Sequence, residues 1–477
     1  MLAAAGLDVL VLEKGGYHDD RDFGRGELDA LTTLYSGPPA STLEGQLALM
    51  SGGTLGGGTV VNWTTSFATP DRVREEWAAH GARQFAGDEY TRALETVQRR
   101  LSVNLDHGAI AHRDAIMERG LTALGRHCAP MPRNVLGCDQ GVECGRCGYG
   151  CRIGAKQSVT KTWLQDAADA GARIVVDADV RRVRVERGRA TGVEAVLADG
   201  TPVTVDARAV VVSAGSIQTP ALLRRSGLTN KRIGANLRLH PATAVAGRFD
   251  EDIRPWEGGL QTRYSIEHAD LDGEGYGVIY ETGPMHPGAA VVFQPWHSAA
   301  HLADDMQALR RTGVVGVILR DTGAGTVTVG RDGEPVVRYR INDHDAAHLH
   351  RGVVGAAEIL AAAGATAVRT AHQVRVAVDL SDAAGRADRI ADLAGRARAQ
   401  GYAPARCMMA ALHIMGTAAM GGSRETSATD PDGATWEVPN LVVADASCFP
   451  TPSGVNPMIS IEAIAHMNAS RLAARLA

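Results

Sequence analysis

The sequence predicts an α/β protein in which a Rossmann-like nucleotide-binding domain is combined with a second, α+β domain. Three stretches carry this prediction. Residues 7–15 are predicted to form a buried strand that ends in an acid and glycines, and residues 209–216 an apolar strand that a helix follows. Residues 440–447 form a third apolar strand, with a helix after Pro457. Apolar strands that alternate with helices are typical of a doubly wound parallel sheet.

The composition limits the class of protein. The chain has 477 residues, of which 45% are hydrophobic and 22% charged, which is enough for one or two substantial cores. A net charge of -5 offers no basic surface for nucleic acid. No apolar run reaches the roughly 18 residues of a membrane span, and the N-terminus lacks the features of a secretory signal. We therefore expect a cytoplasmic protein with no transmembrane segment; peripheral association with a membrane is left open.

The first predicted strand places Glu13 at the end of an apolar run. In a dinucleotide-binding unit, an acid at the end of the second strand accepts hydrogen bonds from a ribose. The first strand and the G-x-G-x-x-G turn that should precede it are missing from the sequence. We therefore expect a truncated chain or a misassigned start, or else a loss of normal cofactor binding. The alternative is that Glu13 is an acid that follows an ordinary strand and has no role in ribose binding.

Residues 51–63 are rich in glycine. They are not a P-loop, because no Gly-Lys-Ser/Thr follows. Successive glycines would let backbone N–H groups approach a pyrophosphate or a flavin ring without side-chain clashes, whereas a flexible loop is the alternative. Residues 71–131 then show amphipathic helical spacing, which predicts a helical cap over the nucleotide-binding domain.

Four of the seven cysteines follow the spacing C-x5-C-x2-C-x3-C. Four thiolates at such spacings can hold a structural zinc ion or an iron–sulfur cluster. Local disulfides or unmodified thiols are equally compatible with the pattern. The candidate metal ligands are Cys138, Cys144, Cys147 and Cys151.

The strand at 209–216 ends in Ala214 and Gly215 and is followed by Thr219 and Pro220. Proline suits the first position of a helix, so Thr219 is predicted to cap a helix that starts at Pro220. By the same argument, Asn456 is predicted to cap the C-terminal helix.

A histidine precedes this C-terminal helix in the sequence. His413 can take or stabilise a proton near pH 7, and an alcohol must lose a proton when its hydride leaves. The N-terminus of the helix after Asn456 suits an anionic group such as a pyrophosphate or the N1/C2=O edge of a reduced flavin. Taken singly, each residue is better explained by an ordinary structural role, and only the rest of the chain favours a functional one.

These stretches, in this order, resemble the glucose-methanol-choline (GMC) oxidoreductases. The residues around them are most similar to the long-chain alcohol oxidase branch of that family. The resemblance implies FAD as the cofactor, and it implies His413 and Asn456 as the catalytic pair. It also implies a set of cofactor contacts: Glu13, Gly53, Gly57, Thr59, Asn62, Val180, Ala214, Gly215, Asp445, Ala446, Pro457 and Met458.

The same resemblance implies the domain organisation. The FAD-binding domain would comprise residues 1–70, 132–242 and 405–477, the cap residues 71–131, and the substrate-binding domain residues 243–404. His240 is expected at the domain junction rather than in catalysis. Glu281 is a weaker candidate, as an auxiliary base.

The implied reaction is oxidation of a primary or secondary alcohol to an aldehyde or ketone by hydride transfer to flavin. An apolar, long-chain or sterol-like substrate is expected, with oxygen or another electron acceptor. In FAD-dependent glucose dehydrogenases of the family, cysteines with a different spacing hold a three-iron cluster, and a cluster here would indicate a dehydrogenase. The alternatives are an inactive, flavin-free relative and a metal-binding protein that uses its cysteines.

Overall fold

The structure is a computed structural model that describes residues 1–24, 26–37, 40–107, 109–138 and 144–477. Its helices are α1 (Glu27–Thr33), α2 (Gly58–Val61), α3 (Asp71–Ala79), α4 (Asp88–Arg100), α5 (His112–Ala123), α6 (Trp163–Asp169), α7 (Gly215–Arg225), α8 (Pro287–Val292), α9 (Ala299–Gln307), α10 (Asp343–Ala362), α11 (Arg386–Gln400) and α12 (Met458–Leu476).

The strands of the first half of the chain are β1 (Leu10–Leu12), β2 (Ala48–Leu49), β3 (Val103–Asn104), β4 (Ala129–Pro130), β5 (Arg133–Asn134), β6 (Arg173–Val175), β7 (Ala178–Glu186), β8 (Arg189–Leu197), β9 (Pro202–Asp206) and β10 (Val210–Val212). Those of the second half are β11 (Ala242–Arg248), β12 (Arg263–His268), β13 (Val278–Thr282), β14 (Thr312–Leu319), β15 (Thr326–Val329), β16 (Pro335–Arg338), β17 (Ala367–Thr370), β18 (Ala377–Asp379), β19 (Ala410–Ala411), β20 (Ala434–Thr435) and β21 (Val438–Val443).

The three strands that predicted a Rossmann-like domain are present and pair in parallel. β1 pairs with β6, with Val11 opposite Ile174, and β10 pairs with β21, with Val211 opposite Val442. The two pairs belong to separate sheets. An antiparallel meander is formed by β7, β8 and β9. The α/β class is therefore confirmed.

The second domain is built on a mixed sheet with the order β18-β17-β11-β14-β13-β12-β4, to which β19 adds at β11 and β2 adds at β19. The long helix α10 packs on β11 and β14. It buries Leu349, Val353 and Leu360 against the sheet, and the Asn342 side chain caps its first turn by accepting from the Asp345 N–H. Among the described residues, no helix is both long and apolar enough to cross a membrane.

The segment predicted as a helical cap is divided between two hydrophobic cores. Trp77 of α3 and Leu94 of α4 pack in the core that also contains β21 and α12. Met117 and Leu121 of α5 instead pack in the core of the large sheet, beside α10. Helical spacing shows which residues are buried but not against which partner, so this division was not visible in the sequence.

Helix α7 begins earlier than predicted. Gly215 starts it with φ of 79°, and Pro220 lies inside the helix rather than at its first position. Proline cannot donate to the carbonyl four residues earlier, which is that of Ser216. The Thr417 hydroxyl donates to this carbonyl instead, at 2.7 Å. A contact from the distant C-terminal segment thus makes the internal proline tolerable.

Candidate active site

Three polar side chains from distant parts of the chain meet at one buried place. His413 lies just after β19, Asn456 just before α12, and Glu281 near the end of β13. Asn456 Nδ2 is 3.4 Å from His413 Nε2 and 3.3 Å from Glu281 Oε2. The structure therefore brings the two predicted catalytic residues together, and it adds the carboxyl group that the sequence marked only as a weak candidate.

Burial sets the protonation of this group. It lowers the pKa of His413 to about 4, because the site disfavours the imidazolium. It raises the pKa of Glu281 to about 7, although hydrogen bonds from Asn456 and Gln261 lower it in part. At neutral pH the histidine is therefore a neutral base, and the carboxyl group is close to half-ionised.

A second histidine holds the first one in place. His240 Nδ1 lies 3.2 Å from His413 Nδ1, and the Gly454 N–H lies 3.3 Å from His240 Nε2. His240 is buried and has φ of 44°, a backbone conformation that non-glycine residues seldom adopt. The structure thus places His240 against the site, whereas the sequence predicted a role at the domain junction alone.

Asn456 is not the helix cap that the sequence predicted. Helix α12 begins at Met458, and Pro457 occupies the cap position. The Asn456 side chain points to His413 and Glu281 instead, and its Oδ1 has no hydrogen-bond partner among the described residues. A buried, unpaired amide oxygen is costly, so this atom is suited to bind an exogenous group.

Several predicted cofactor residues contact one another across the chain. Asn62 Nδ2 lies 2.8 Å from Met458 Sδ, which joins the glycine-rich stretch to the start of α12. Glu13 accepts from the Gly15 N–H at 2.6 Å, and its backbone carbonyl accepts from the Ala178 N–H, two residues before Val180. Burial raises the pKa of Glu13.

Asp445 joins the ends of β10 and β21. Its Oδ2 accepts from the Gly215 N–H at 2.8 Å and from the Thr219 hydroxyl at 2.5 Å, and its Oδ1 accepts from the Ser447 N–H. The next carbonyl, that of Ala446, accepts from the Gly416 N–H. Asp445 therefore fixes the turn around Ala214 and Gly215, a structural role that no sequence pattern indicated.

The glycine-rich stretch needs its glycines for close approach. A Cβ on Gly53 would lie 2.6 Å from the Ser36 nitrogen, and one on Gly52 would lie 2.3 Å from the Gly57 carbonyl group. Thr59 donates from its hydroxyl to the Gly56 carbonyl and accepts from the Val159 N–H. The predicted contacts thus lie in a tight, internally bonded turn.

A buried lysine supports this turn. Lys156 is 3% exposed, and its Nζ donates to the carbonyls of Val60, Asn62 and Cys147 at 2.5, 2.9 and 2.7 Å. Val60 and Asn62 lie at the end of α2, where a cation also interacts favourably with the helix dipole. Burial lowers the pKa of this lysine to about 8. Lys156 could not be selected from the sequence, since a single lysine carries no signal of burial.

Replacement of this lysine is expected to destabilise the protein. Lys156→Met keeps the length of the side chain but leaves three carbonyls without their donor, which should lower the free energy of unfolding by about 3 kcal/mol. Urea denaturation measures this change. Lys161→Met is the matched control, because Lys161 is exposed and its ion pair with Asp20 should contribute under about 1 kcal/mol. Equal losses in the two variants would contradict a special role of Lys156.

The described residues give no support to the predicted metal site at the cysteines. Cys138 Sγ and Cys144 Sγ are 3.8 Å apart, while the Cys151 sulfur accepts from the Lys156 backbone N–H. Within the described ranges, no group of three or more metal-ligand atoms that lie close together includes these thiols. The arrangement therefore gives no support to the iron–sulfur cluster or the zinc ion. Residues 139–143, between the first two cysteines, lie outside the described residues.

The residues present fit FAD. A Cβ added to Gly57 or Gly215 would meet no described atom within 4 Å, so both predicted contacts face open space. Asn456 Oδ1 and Glu281 Oε1 are buried oxygens without a partner among the described residues. The Glu13 carboxylate at the end of β1 has the chemistry to bind a ribose. These groups would hold the cofactor along the path from β1 to the start of α12.

Comparison with known proteins agrees with this geometry. A family model described as GMC oxidoreductase matches residues 31–242, and the C-terminal model of the same family matches residues 321–465. A GMC-type oxidoreductase of Mycobacterium tuberculosis is 36% identical over 485 residues, which cover 100% of this chain and 73% of that protein. The chain belongs to the GMC oxidoreductase family. The resemblance predicted from the sequence is thereby confirmed.

Other GMC oxidoreductases extend the comparison. The long-chain-alcohol oxidase FAO4A of Arabidopsis thaliana is 32% identical over 485 residues, which cover 98% of this chain and 65% of that protein. The chain spans 64–65% of the length of the plant long-chain-alcohol oxidases it matches. The crystal structure of pyridoxine 4-oxidase from Mesorbium loti superposes with a TM-score of 0.70 at 16% identity, covering 98% of this chain and 96% of that chain. This GMC oxidoreductase thus shares that fold.

Proposed function

We propose that this GMC oxidoreductase binds FAD and oxidises a primary or secondary alcohol to an aldehyde or ketone. The observation that carries the proposal is the meeting of His413 and Asn456 at 3.4 Å, with Glu281 in contact with the same amide. An alcohol must lose both a hydride and a proton, and a neutral imidazole beside an amide donor can receive the proton and orient the oxygen. FAD supplies the hydride acceptor when it is bound.

The contacts of these residues indicate a separate role for each in the reaction. His413 is neutral at pH 7, so its imidazole can take or stabilise the hydroxyl proton. Asn456 would orient the substrate oxygen through its amide, which Glu281 holds. The His240 ring restrains His413 from its other side, so that little orientational freedom is lost at the moment of reaction.

The substrate class rests on the relatives. The relatives whose names state an activity include long-chain-alcohol oxidases. In addition, the low aromatic content of 4% provides few rings for stacking on a sugar. An apolar alcohol, with a long chain or a sterol-like body, is therefore proposed. Oxygen or another acceptor would reoxidise the flavin. An inactive, flavin-free relative is less well supported, because His413, Asn456 and Glu281 converge as an intact group.

The test is a spectroscopic titration of the purified chain. Its visible spectrum is recorded after incubation with FAD and removal of the excess, and apolar primary and secondary alcohols are then added without oxygen. We expect retained flavin absorbance that these alcohols bleach. Admission of air, or of an artificial acceptor, then distinguishes oxidase from dehydrogenase behaviour. A chain that retains no flavin, or retained flavin that no alcohol bleaches, would contradict the proposal.

A further inference from the structure

A second cluster of ligand-type side chains lies away from the FAD site, where helix α10 meets the loop between β12 and β13. One ligand atom each from His344, His348 and Asp272 lies within 4.8 Å of the other two. The two histidines are four residues apart, so they project from the same face of α10. Their rings lie 4.1 Å apart between centroids. Asp272 comes from the loop opposite that face.

The geometry points to a binding site for a divalent transition-metal ion of the zinc type, which we propose is held by His344, His348 and Asp272. His344 Nε2 and Asp272 Oδ2 are 3.3 Å apart. Two ligands at roughly 2.0–2.1 Å from a tetrahedral ion are separated by about this distance. Imidazole nitrogens favour zinc and its neighbours in the transition series over magnesium or calcium, and a carboxylate can complete the set. The remaining position would be open to water.

A second observation points the same way. The other ring nitrogen of His344, Nδ1, lies 3.5 Å from Asp345 Oδ1, and Asp345 is fully buried. A metal-binding histidine generally directs its second ring nitrogen to such a carboxylate, which fixes the ring and raises its basicity. Asp345 is itself held, because it accepts from the backbone N–H groups of Thr322 and Gly323. The orientation of His344 is therefore prepared by groups that the fold supplies.

The remaining ligands are also prearranged. Asp272 Oδ1 accepts from the N–H groups of Glu274 and Tyr276 at 2.8 and 3.2 Å, which leaves Oδ2 on the side of His344. His348 Nδ1 is buried and has no hydrogen-bond partner in the part of the chain that the structure describes. An ion would satisfy the histidine pair and would tie the β12–β13 loop to α10.

A series of contacts links the proposed metal site to the active site. Tyr276 in the same loop donates to Glu76 at 2.8 Å, and Glu76 pairs with Arg320. The Arg320 Nε donates to the Pro452 carbonyl, in the turn that leads to Asn456. The ion would therefore act as a structural clamp on a loop that is linked to the segment before α12.

The test uses the full chain, freed of any affinity tag and stripped of metal with EDTA. Zn²⁺ is titrated against a competing chromogenic chelator, with Mg²⁺ as the second probe. We expect one Zn²⁺ equivalent whose affinity falls at least about tenfold in His348→Ala and in Asp272→Asn. Both positions are outside the FAD site, so flavin content should not change. Hydrogen exchange of the 270–276 amides should slow when Zn²⁺ is bound.

The matched control is His301→Ala. His297 and His301 form another pair four residues apart, but their ring centroids are 6.1 Å apart and they are not part of a three-ligand group in the described residues. This variant should bind Zn²⁺ as the parent does. Three results would overturn the proposal: no Zn²⁺ equivalent sensitive to His344 or His348, equal binding of Mg²⁺ and Zn²⁺, or an unchanged affinity in the His344→Ala/His348→Ala double variant. If His344 and Asp272 form only an ion pair, no Zn²⁺ equivalent will depend on His344 or His348.

Discussion

His413→Ala is expected to slow the reduction of bound flavin by an alcohol by about 10²–10⁴-fold, the usual contribution of a positioned acid–base group. The reason is that, among the described residues, His413 is the neutral base in contact with Asn456. FAD should remain bound, because His413 makes its described contacts with His240 and Asn456 and not with the glycine-rich turn.

The measurement is anaerobic stopped-flow absorbance with the alcohol that bleaches the parent fastest. His112→Ala is the matched control, since His112 is an exposed histidine at the start of α5 and should reduce its flavin at the parental rate. If His413→Ala loses the flavin itself, the residue has a structural role and the proposed chemistry is contradicted. Parental rates in this variant would contradict it as well.

Glu281→Gln is expected to stabilise the protein at high pH and to leave its stability unchanged at low pH. Burial raises the pKa of Glu281 from 4.5 to about 7, so the folded state binds its proton more tightly than the unfolded state does. Such a group favours folding below pH 4.5, and this contribution is lost as the pH rises through 7. The loss corresponds to about 3 kcal/mol above pH 7. Glutamine carries no charge, so it avoids this loss.

Urea denaturation at pH 4.5 and pH 8, with FAD held in equal excess, measures the difference between variant and parent. The difference should be small at pH 4.5 and should reach about 3 kcal/mol in favour of the variant at pH 8. Glu75→Gln, on the exposed face of α3, should show no such change with pH. A variant that is less stable than the parent at pH 8 would mean that the Glu281 charge is stabilised by its surroundings.

The Glu281→Gln variant also tests the role of this carboxyl group in flavin reduction. Asn456 donates to Glu281 Oε2, so ionisation of this carboxyl group near pH 7 should alter how firmly the amide is held. We therefore expect an inflection near pH 7 in the rate of flavin reduction in the parent, and its absence in Glu281→Gln. The His413 pKa of about 4 places the loss of the neutral base well below that point.

Local sequence was sufficient for the elements and for the family. The strands near Glu13, Ala214 and Asp445 are short apolar runs whose flanking residues indicate parallel strands. The predicted burial was correct for β21 only, because β1 is half-buried and Val211 of β10 is exposed. His413 and Asn456 were selected because residues around them match a family pattern, although 43 positions separate them.

Tertiary structure alone decided which groups act together. Glu281 resembles any polar residue on a strand until β13 carries it into a dry site against Asn456, where burial changes its pKa. Lys156 gains its role from three carbonyls that only the folded chain assembles, and Pro220 is tolerated inside α7 because the Thr417 hydroxyl reaches the carbonyl of Ser216. The cysteine spacing permitted a metal site that the described residues do not support, whereas His344 and His348 meet Asp272 only through the packing of a loop on α10. Sequence patterns record the period and composition of one segment. Burial and side-chain contacts depend instead on segments far apart in the chain, and it is burial and contacts that set the chemistry of each site.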